Sequence, residues 1–448
     1  MSKKYSAKFW VIFWLISGIF LISFFIFLQI KNGGVSGLAN SLPMNEESKA
    51  LVYLTDFFLK DWHEEKTFMV LFQNNMELRP GGGFIGSFGI LKTKNGKVIE
   101  LQIHDLSNFD ARLPNTVSQP YPIEEILHTK YWKMRDSNFS PDFVENAKRA
   151  EEFYQLGGGQ EKLDGVVGLT TNVLTSFLKA TGPIKIEGYP GTYADENAVI
   201  ALEYQVEKAY AEQGIEKQAR KSIMNDLAEE IIGKVSGFSN LQRVGLVKII
   251  LSDLKKKDIQ LYFKDDKLQK QIEKATWGGR VDENWKSNYL MIVDANLASY
   301  KSDYHIQRSV EYAVDFSSGS PEVILKITYN HTAEERDWMT KNYLTYLRVY
   351  VPNGSWFISG NNFDDPHFGE EFQKKYFGSL VSVPLGTSKT VEVRYFLPAE
   401  LNNGSFDLKV QKQAGTKDVF YNVNIIKNAF EKKTQNFTLD SDMVLDNL

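Results

Sequence analysis

Cysteine is absent from all 448 residues. That excludes disulfides, thiolate nucleophiles and thiolate metal ligands, and it suits an extracytoplasmic protein that relies on the size of its core for stability. Histidine is scarce: the six residues are scattered, and His63-Glu64-Glu65 does not make the two-histidine helical pair of a zinc hydrolase. There is no long run of charge of either sign, and the formal net charge is -4, so nucleic acid is not an expected partner. Internal repeats and low-complexity segments are also missing. Gly81 to Gly89 runs into a strand-like stretch without Gly-Lys-Ser/Thr, which excludes a P-loop and a dinucleotide fingerprint. Gly86-Ser87-Phe88-Gly89 lacks the glycine two residues before the serine that a nucleophile elbow requires. Asp136-x-Asn138-x-Ser140-x-Asp142 imitates the start of a calcium loop, but Pro141 takes the glycine position and Ala147 that of the bidentate glutamate.

What is present begins with one long apolar run. Phe9 to Ile30 (FWVIFWLISGIFLISFFIFLQI) carries no charge and, at about 1.5 Å per residue, crosses a hydrocarbon core of roughly 30 Å. Lys3, Lys4 and Lys8 precede it and Lys31 alone follows closely. The positive-inside bias therefore leaves residues 1–8 as a cytoplasmic tail and exports the rest. The competing reading, a cleaved signal peptide, expects a shorter apolar region and a small-x-small site, for which only Gly37-Leu38-Ala39 offers itself. The expectation is a single-pass cell-membrane protein held in the lipid bilayer by residues 9–30, with 31–45 as a Gly/Ser/Asn-rich tether.

The body changes texture near residue 287. Before it, Phe68 to Phe72, Phe84 to Leu91, Val98 to Ile103 and Val166 to Leu169 read as strands, while Asp195 to Tyr210 and Lys217 to Val235 read as helices. The second helix carries an apolar stripe at Ile223, Leu227, Ile231 and Val235, with Gly237 as its stop. This predicts an α/β domain over 46–286. After it, Tyr304 to Phe316, Val323 to Tyr329, Tyr343 to Val351, Thr390 to Leu397, Ser405 to Val410 and Val419 to Ile426 read as strands, with turns at Pro352-Asn353-Gly354 and Asn402-Asn403-Gly404. This predicts an all-β antiparallel sandwich over 287–448.

Asn74 to Arg112 is the chemically suggestive stretch. A buried strand ends in Gln73-Asn74-Asn75-Met76-Glu77-Leu78-Arg79-Pro80 and three glycines; in α/β sheets, ligands sit at the carboxyl ends of strands. A hairpin in which Glu77 and Arg79 neutralise each other explains the same residues. A second polar cluster, His104, Asp105, Asn108, Asp110 and Arg112, suits a divalent ion or a pyrophosphate, and suits a solvated loop equally. Asp294, Asn296, Lys301 and Asp303 are expected to fix the junction between the halves.

QNNMELRPGGGFIGSFG, MRDSNFSPDF, LDGVVGLTTNVLTSFLKATGPIKIEG, NYLMIVDANLASYKSDYHIQR and LRVYVPNGS together resemble a bacterial domain-of-unknown-function family of single-span envelope proteins, over roughly residues 45 to 440. The order of elements in 65–235 also resembles the LytR-CpsA-Psr family, which transfers glycopolymers from polyprenyl-pyrophosphate carriers to the cell wall. That resemblance implies a three-layer α/β fold. It also implies a pyrophosphate bound by Asn75, Arg79, Arg112 and Arg220, with Asp105 and Glu77 holding Mg²⁺ or activating an acceptor hydroxyl, Asp105 being the metal ligand. The sequence departs from the family pattern: Asn75 stands where an Asp is expected, His104 where an Arg is, and Thr181-Gly182-Pro183 where Gly-Gly-Val is. Arg220-Lys221 matches the Arg-rich helix, although Arg220 also suits a surface pair with Glu216. Two functions follow as expectations: a phosphotransferase-type enzyme carrying a polyprenyl-pyrophosphate glycan to a cell-wall polymer, or a non-catalytic envelope binding or scaffold protein that kept the fold.

Overall fold

The computed structural model describes residues 45–60, 64–95, 97–216, 220, 222–317, 319–402, 407–428 and 431–446. The expected tail, span and tether lie outside the described residues, and no described helix is long and apolar enough to cross a membrane. The chain is a mixed α/β unit followed by a β-rich region, with three sheets among the described residues.

The first unit comprises the described residues up to Gln73, Ile85–Arg112 and Tyr154–Gly279. Its sheet has the order β3-β2-β1-β4-β5, from β1 (Lys66–Asn74), β2 (Phe84–Lys94), β3 (Lys97–Asp105), β4 (Gly165–Thr170) and β5 (Ile259–Phe263). β1 runs parallel to β4, while β2–β3 and β4–β5 are antiparallel. Helices Glu46–Leu59, Thr171–Thr181, Ser222–Ser236 and Asn240–Lys255 contribute to its core. The stripe at Ile223, Leu227, Ile231 and Val235 is buried as its spacing predicts. Phe57, Phe58, Phe68 and Phe263 interlock mostly edge to face at 5.3–6.3 Å, the geometry in which ring edges meet electron-rich faces. Asn45 caps the first helix at the Ser48 amide (2.8 Å), and Ser239 with Gln242 forms a capping box on Asn240–Lys255. The expected helix Asp195 to Tyr210 forms as Ala198–Tyr204 followed by a π turn, Gln205–Ala209.

The second unit comprises Asn74–Phe84, Leu113–Phe153 and the described residues from Arg280 onward. Two stretches from before residue 287 thus belong with the β-rich half. Six-stranded sheets of order β10-β13-β8-β7-β15-β16 and β11-β12-β9-β6-β14-β17 contain β6 (Asn288–Asn296), β7 (Ile306–Asp315), β8 (Glu322–His331), β9 (Tyr343–Pro352), β10 (Trp356–Asn361), β11 (His367–Glu371), β12 (Lys374–Val383), β13 (Ser388–Phe396), β14 (Leu408–Gln411), β15 (Val419–Ile426), β16 (Lys432–Leu439) and β17 (Met443–Leu445). Strand alternation sends Val310, Tyr312, Leu325 and Val393 of one sheet and Leu290, Val349, Phe377 and Val410 of the other into one core. The region is not purely antiparallel as expected: β14 pairs parallel with β6, and β15 with β7. Alternation fixes which face is buried but not strand direction, so both arrangements satisfy the same hydrophobic pattern. Gly354 (φ 84°) makes the expected turn, closed by the Ser355 amide on Pro352.

Candidate functional site

After β1 the chain turns through an Asn74 side chain that accepts from the Met76 amide (3.0 Å) and a Glu77 amide that donates to the Asn74 carbonyl (3.1 Å). The turn delivers Arg79 into the interior of the second unit at 2% exposure. Its guanidinium donates from Nε to Asp136 Oδ1 (2.9 Å), from Nη1 to the Asn296 carbonyl (2.8 Å) and from Nη2 to Glu77 Oε1 (3.1 Å), and it lies over the Phe84 ring. Burial raises the Glu77 carboxyl above its usual range despite the pull of Arg79. Burial by itself lowers the guanidinium; Asp136 and Glu77 outweigh it and leave it raised. All three nitrogens of the fork are engaged.

The backbone of this segment is equally committed. The Leu78 amide donates to Asp303 Oδ2 (3.0 Å), its carbonyl accepts from the Asn296 amide (3.0 Å), and the Arg79 carbonyl accepts from Gln413 Nε2 (3.2 Å). Asn75 donates to the Gly415 carbonyl (3.0 Å). The glycines allow close approach of neighbouring protein: a Cβ on Gly81 would lie 2.2 Å from Asn146 Nδ2, and one on Gly415 1.9 Å from the Gly82 carbonyl oxygen. Asp303 also accepts from Arg308, which reaches on to Asp294, and Asp294 further accepts from Tyr329 and Thr345. Arg348 donates to the Phe139 carbonyl (2.9 Å). Three of the stretches that carry the family resemblance therefore meet in one buried polar network, and Arg348 ties a fourth to the second of them.

The remaining candidates belong to the first unit. Asp105 ends β3 and caps the short helix Leu106–Asp110, its Oδ1 accepting from the Ser107 amide (2.8 Å). His104 stacks on Phe88, and burial followed by Arg112 lowers its pKa. Arg112 is exposed and lies over the Phe109 ring. Arg220 pairs with Glu207 (3.4 Å) and not with Glu216, and Lys221 lies outside the described residues. Gly182, at φ 74°, ends Thr171–Thr181. The structure therefore brings Asn75, Glu77 and Arg79 together in one unit, and holds Asp105, Arg112 and Arg220 in the other. No group of three or more His, Asp or Glu gathers for a metal among the described residues.

Asp136 has no functional role in the sequence analysis, where it stands in a false calcium loop and within MRDSNFSPDF, yet it is the closest acidic partner of Arg79. A second feature carried no signal. At the carboxyl end of β4, Asp258 accepts from Thr170 (2.7 Å) and Asn172 (2.8 Å), and Asp253 accepts from Ser176 (2.9 Å). Burial, with Asp258 beside it, pushes the Asp253 carboxyl up to about 7. These residues lie far apart in sequence, and only the pairing of β4 with β5 gathers them.

A comparison with curated proteins returns no match. Among solved structures, the Lin1025 protein from Listeria innocua is similar over 48% of this chain and 79% of its own, at 11% identity and a TM-score of 0.27. Residues 63–206 match a family described as a protein of unknown function, DUF4012.

Proposed function

We propose that this is a membrane-anchored, extracytoplasmic envelope protein that binds or scaffolds and does not transfer glycopolymer. The anchor is the uncharged run 9–30, oriented by Lys3, Lys4 and Lys8. The exported body is read as a LytR-CpsA-Psr-like α/β domain followed by a sandwich, a reading supported by the parallel β1–β4 pair and by the single core that two sheets share. The observation that carries the non-catalytic reading is Arg79. Of the three arginines expected to hold a pyrophosphate, Arg79 is sealed at 2% exposure, with Asp136, Glu77 and the Asn296 carbonyl as its partners.

The test uses the full-length protein with a polyprenyl pyrophosphate, with and without Mg²⁺, while melting temperature is followed. A ligand at 100 times its Kd adds about 2.7 kcal/mol; the expected outcome is no Mg²⁺-dependent rise. A saturable, Mg²⁺-dependent rise that disappears in Arg220→Ala overturns the reading. Orientation is checked separately through Glu370→Cys at an exposed site, the sole thiol in the chain. An impermeant maleimide should label it in intact cells, and labelling only after lysis defeats the exported placement.

A further inference from the structure

The second unit holds a cavity that the reading above does not use. It is lined by Asp294, Arg308, Gln413, Thr416 and Tyr421 over an apolar wall that includes Val310, and with its open mouth it encloses about 360 Å³. Most of its polar groups are spoken for. Asp294 accepts through both oxygens, from Tyr329, Thr345 and Arg308 Nε. Gln413 is held by the backbone of Asp294 and by the Arg79 carbonyl, and Thr416 donates to the Gln413 carbonyl.

Two groups stand apart. Arg308, whose side chain is 7% exposed, uses Nε on Asp294 and Nη2 on Asp303 and Tyr343; among the described residues none accepts from its Nη1. Tyr421, 3% exposed, stacks its ring on Phe437, and its hydroxyl has no hydrogen-bond partner among the described residues. Both side chains line the cavity. A guanidinium nitrogen offers two hydrogens and a phenol one. Both donors thus belong to residues of one wall, one of them carrying formal charge, and Lys412 adds a second cation to it.

We propose that this cavity binds an oxyanion, the carboxylate or phosphate group of a larger ligand, through Arg308 Nη1 and the Tyr421 hydroxyl. The innermost space is about water-sized, so the group enters by one oxygen and leaves the rest of the ligand in the mouth. Charge-assisted bonds from arginine favour such an oxygen over water. The inference is independent of the anchor and of the question of transfer.

The full-length protein, at constant ionic strength made up with sodium chloride, is titrated separately with sodium acetate and with sodium phosphate while its melting temperature is followed. A saturable rise with acetate identifies a carboxylate, and one with phosphate a phosphate group; either supports the site. Tyr421→Phe should weaken the apparent Kd about tenfold, the value of one hydrogen bond, with the ligand-free melting temperature unchanged because that hydroxyl has no partner to lose. Saturation by neither anion, or equal binding by Tyr421→Phe, overturns the proposal and leaves an ordered water in the cavity. Should Tyr421→Phe not fold, wild-type crystals soaked in selenate decide. An anomalous peak within hydrogen-bond reach of Arg308 Nη1 supports the site, and its absence overturns it.

Discussion

Arg79 and Asp136, separated by 57 positions, meet at 2.9 Å in the interior of the second unit. Each comes from a segment that precedes the β-rich half in sequence yet packs within it. Removing one partner leaves a carboxylate buried without its counter-ion, which costs about 3–5 kcal/mol. Arg79→Ala should therefore lower the stability of this unit by about that amount, and Arg79→Lys by less, because it keeps the charge but loses the fork. Hydrogen exchange resolved to peptides from 280–446 measures it. Unchanged protection in Arg79→Ala would show the network to be dispensable.

Gly415 and Gly245 should respond in opposite directions to alanine. Gly415 has φ 77°, and its Cβ would collide with the Gly82 carbonyl, so Gly415→Ala is expected to cost about 2–4 kcal/mol. Gly245 lies inside a helix with open space around it, where alanine gains about 1 kcal/mol. Melting curves of the two variants decide; stabilisation by Gly415→Ala would contradict the close approach of the two glycine backbones.

Asp253 makes the first unit sensitive to pH. Its folded pKa, about 7, stands above the ordinary 3.8. Between those values the folded state binds the proton more tightly than the unfolded state does, and stability falls as pH rises. Its contribution is complete below about pH 4 and lost as pH passes about 7. Asp253→Asn should flatten this part of the curve, seen as a smaller difference in melting temperature between pH 5 and pH 8. An identical difference in the variant would remove Asp253 as the cause.

β10 is an edge strand of sequence WFISGN with no charged residue, and it exposes Trp356 at 69% and Ile358 at 40%. Edge strands without charge or proline invite pairing with other chains. Ile358→Lys should reduce light scattering during refolding while leaving the melting temperature within about 0.5 kcal/mol equivalent of wild type. Equal scattering would place the association elsewhere.

Periodicity made much of the architecture legible. Strands β1 to β4 of the first sheet and the stripe from Ile223 to Val235 follow from local spacing, because a residue's face depends only on its neighbours along the chain. The helices Glu46–Leu59, Phe143–Leu156 and Asn240–Lys255 and the strand β5 did not stand out in the sequence reading. The candidate site was legible as a set of residue types but not as a set of contacts. Glu77 and Arg79 do neutralise each other, as the hairpin reading held, but Asp136 completes the cluster and nothing near it in sequence announces that.

Local spacing sets the segments: where apolar runs alternate, where glycine permits a turn, and that one uncharged stretch is long enough for a bilayer. Tertiary structure alone decided which segments share a core. It assigned Asn74–Phe84 and Leu113–Phe153 to the β-rich unit, ran β14 parallel to β6 and β15 parallel to β7, and turned Arg79 inward. The reason is physical: a side chain's face is a local property, whereas the partner of a buried charge is set by whichever distant group the fold brings within about 3 Å, and burial then makes that choice expensive to change.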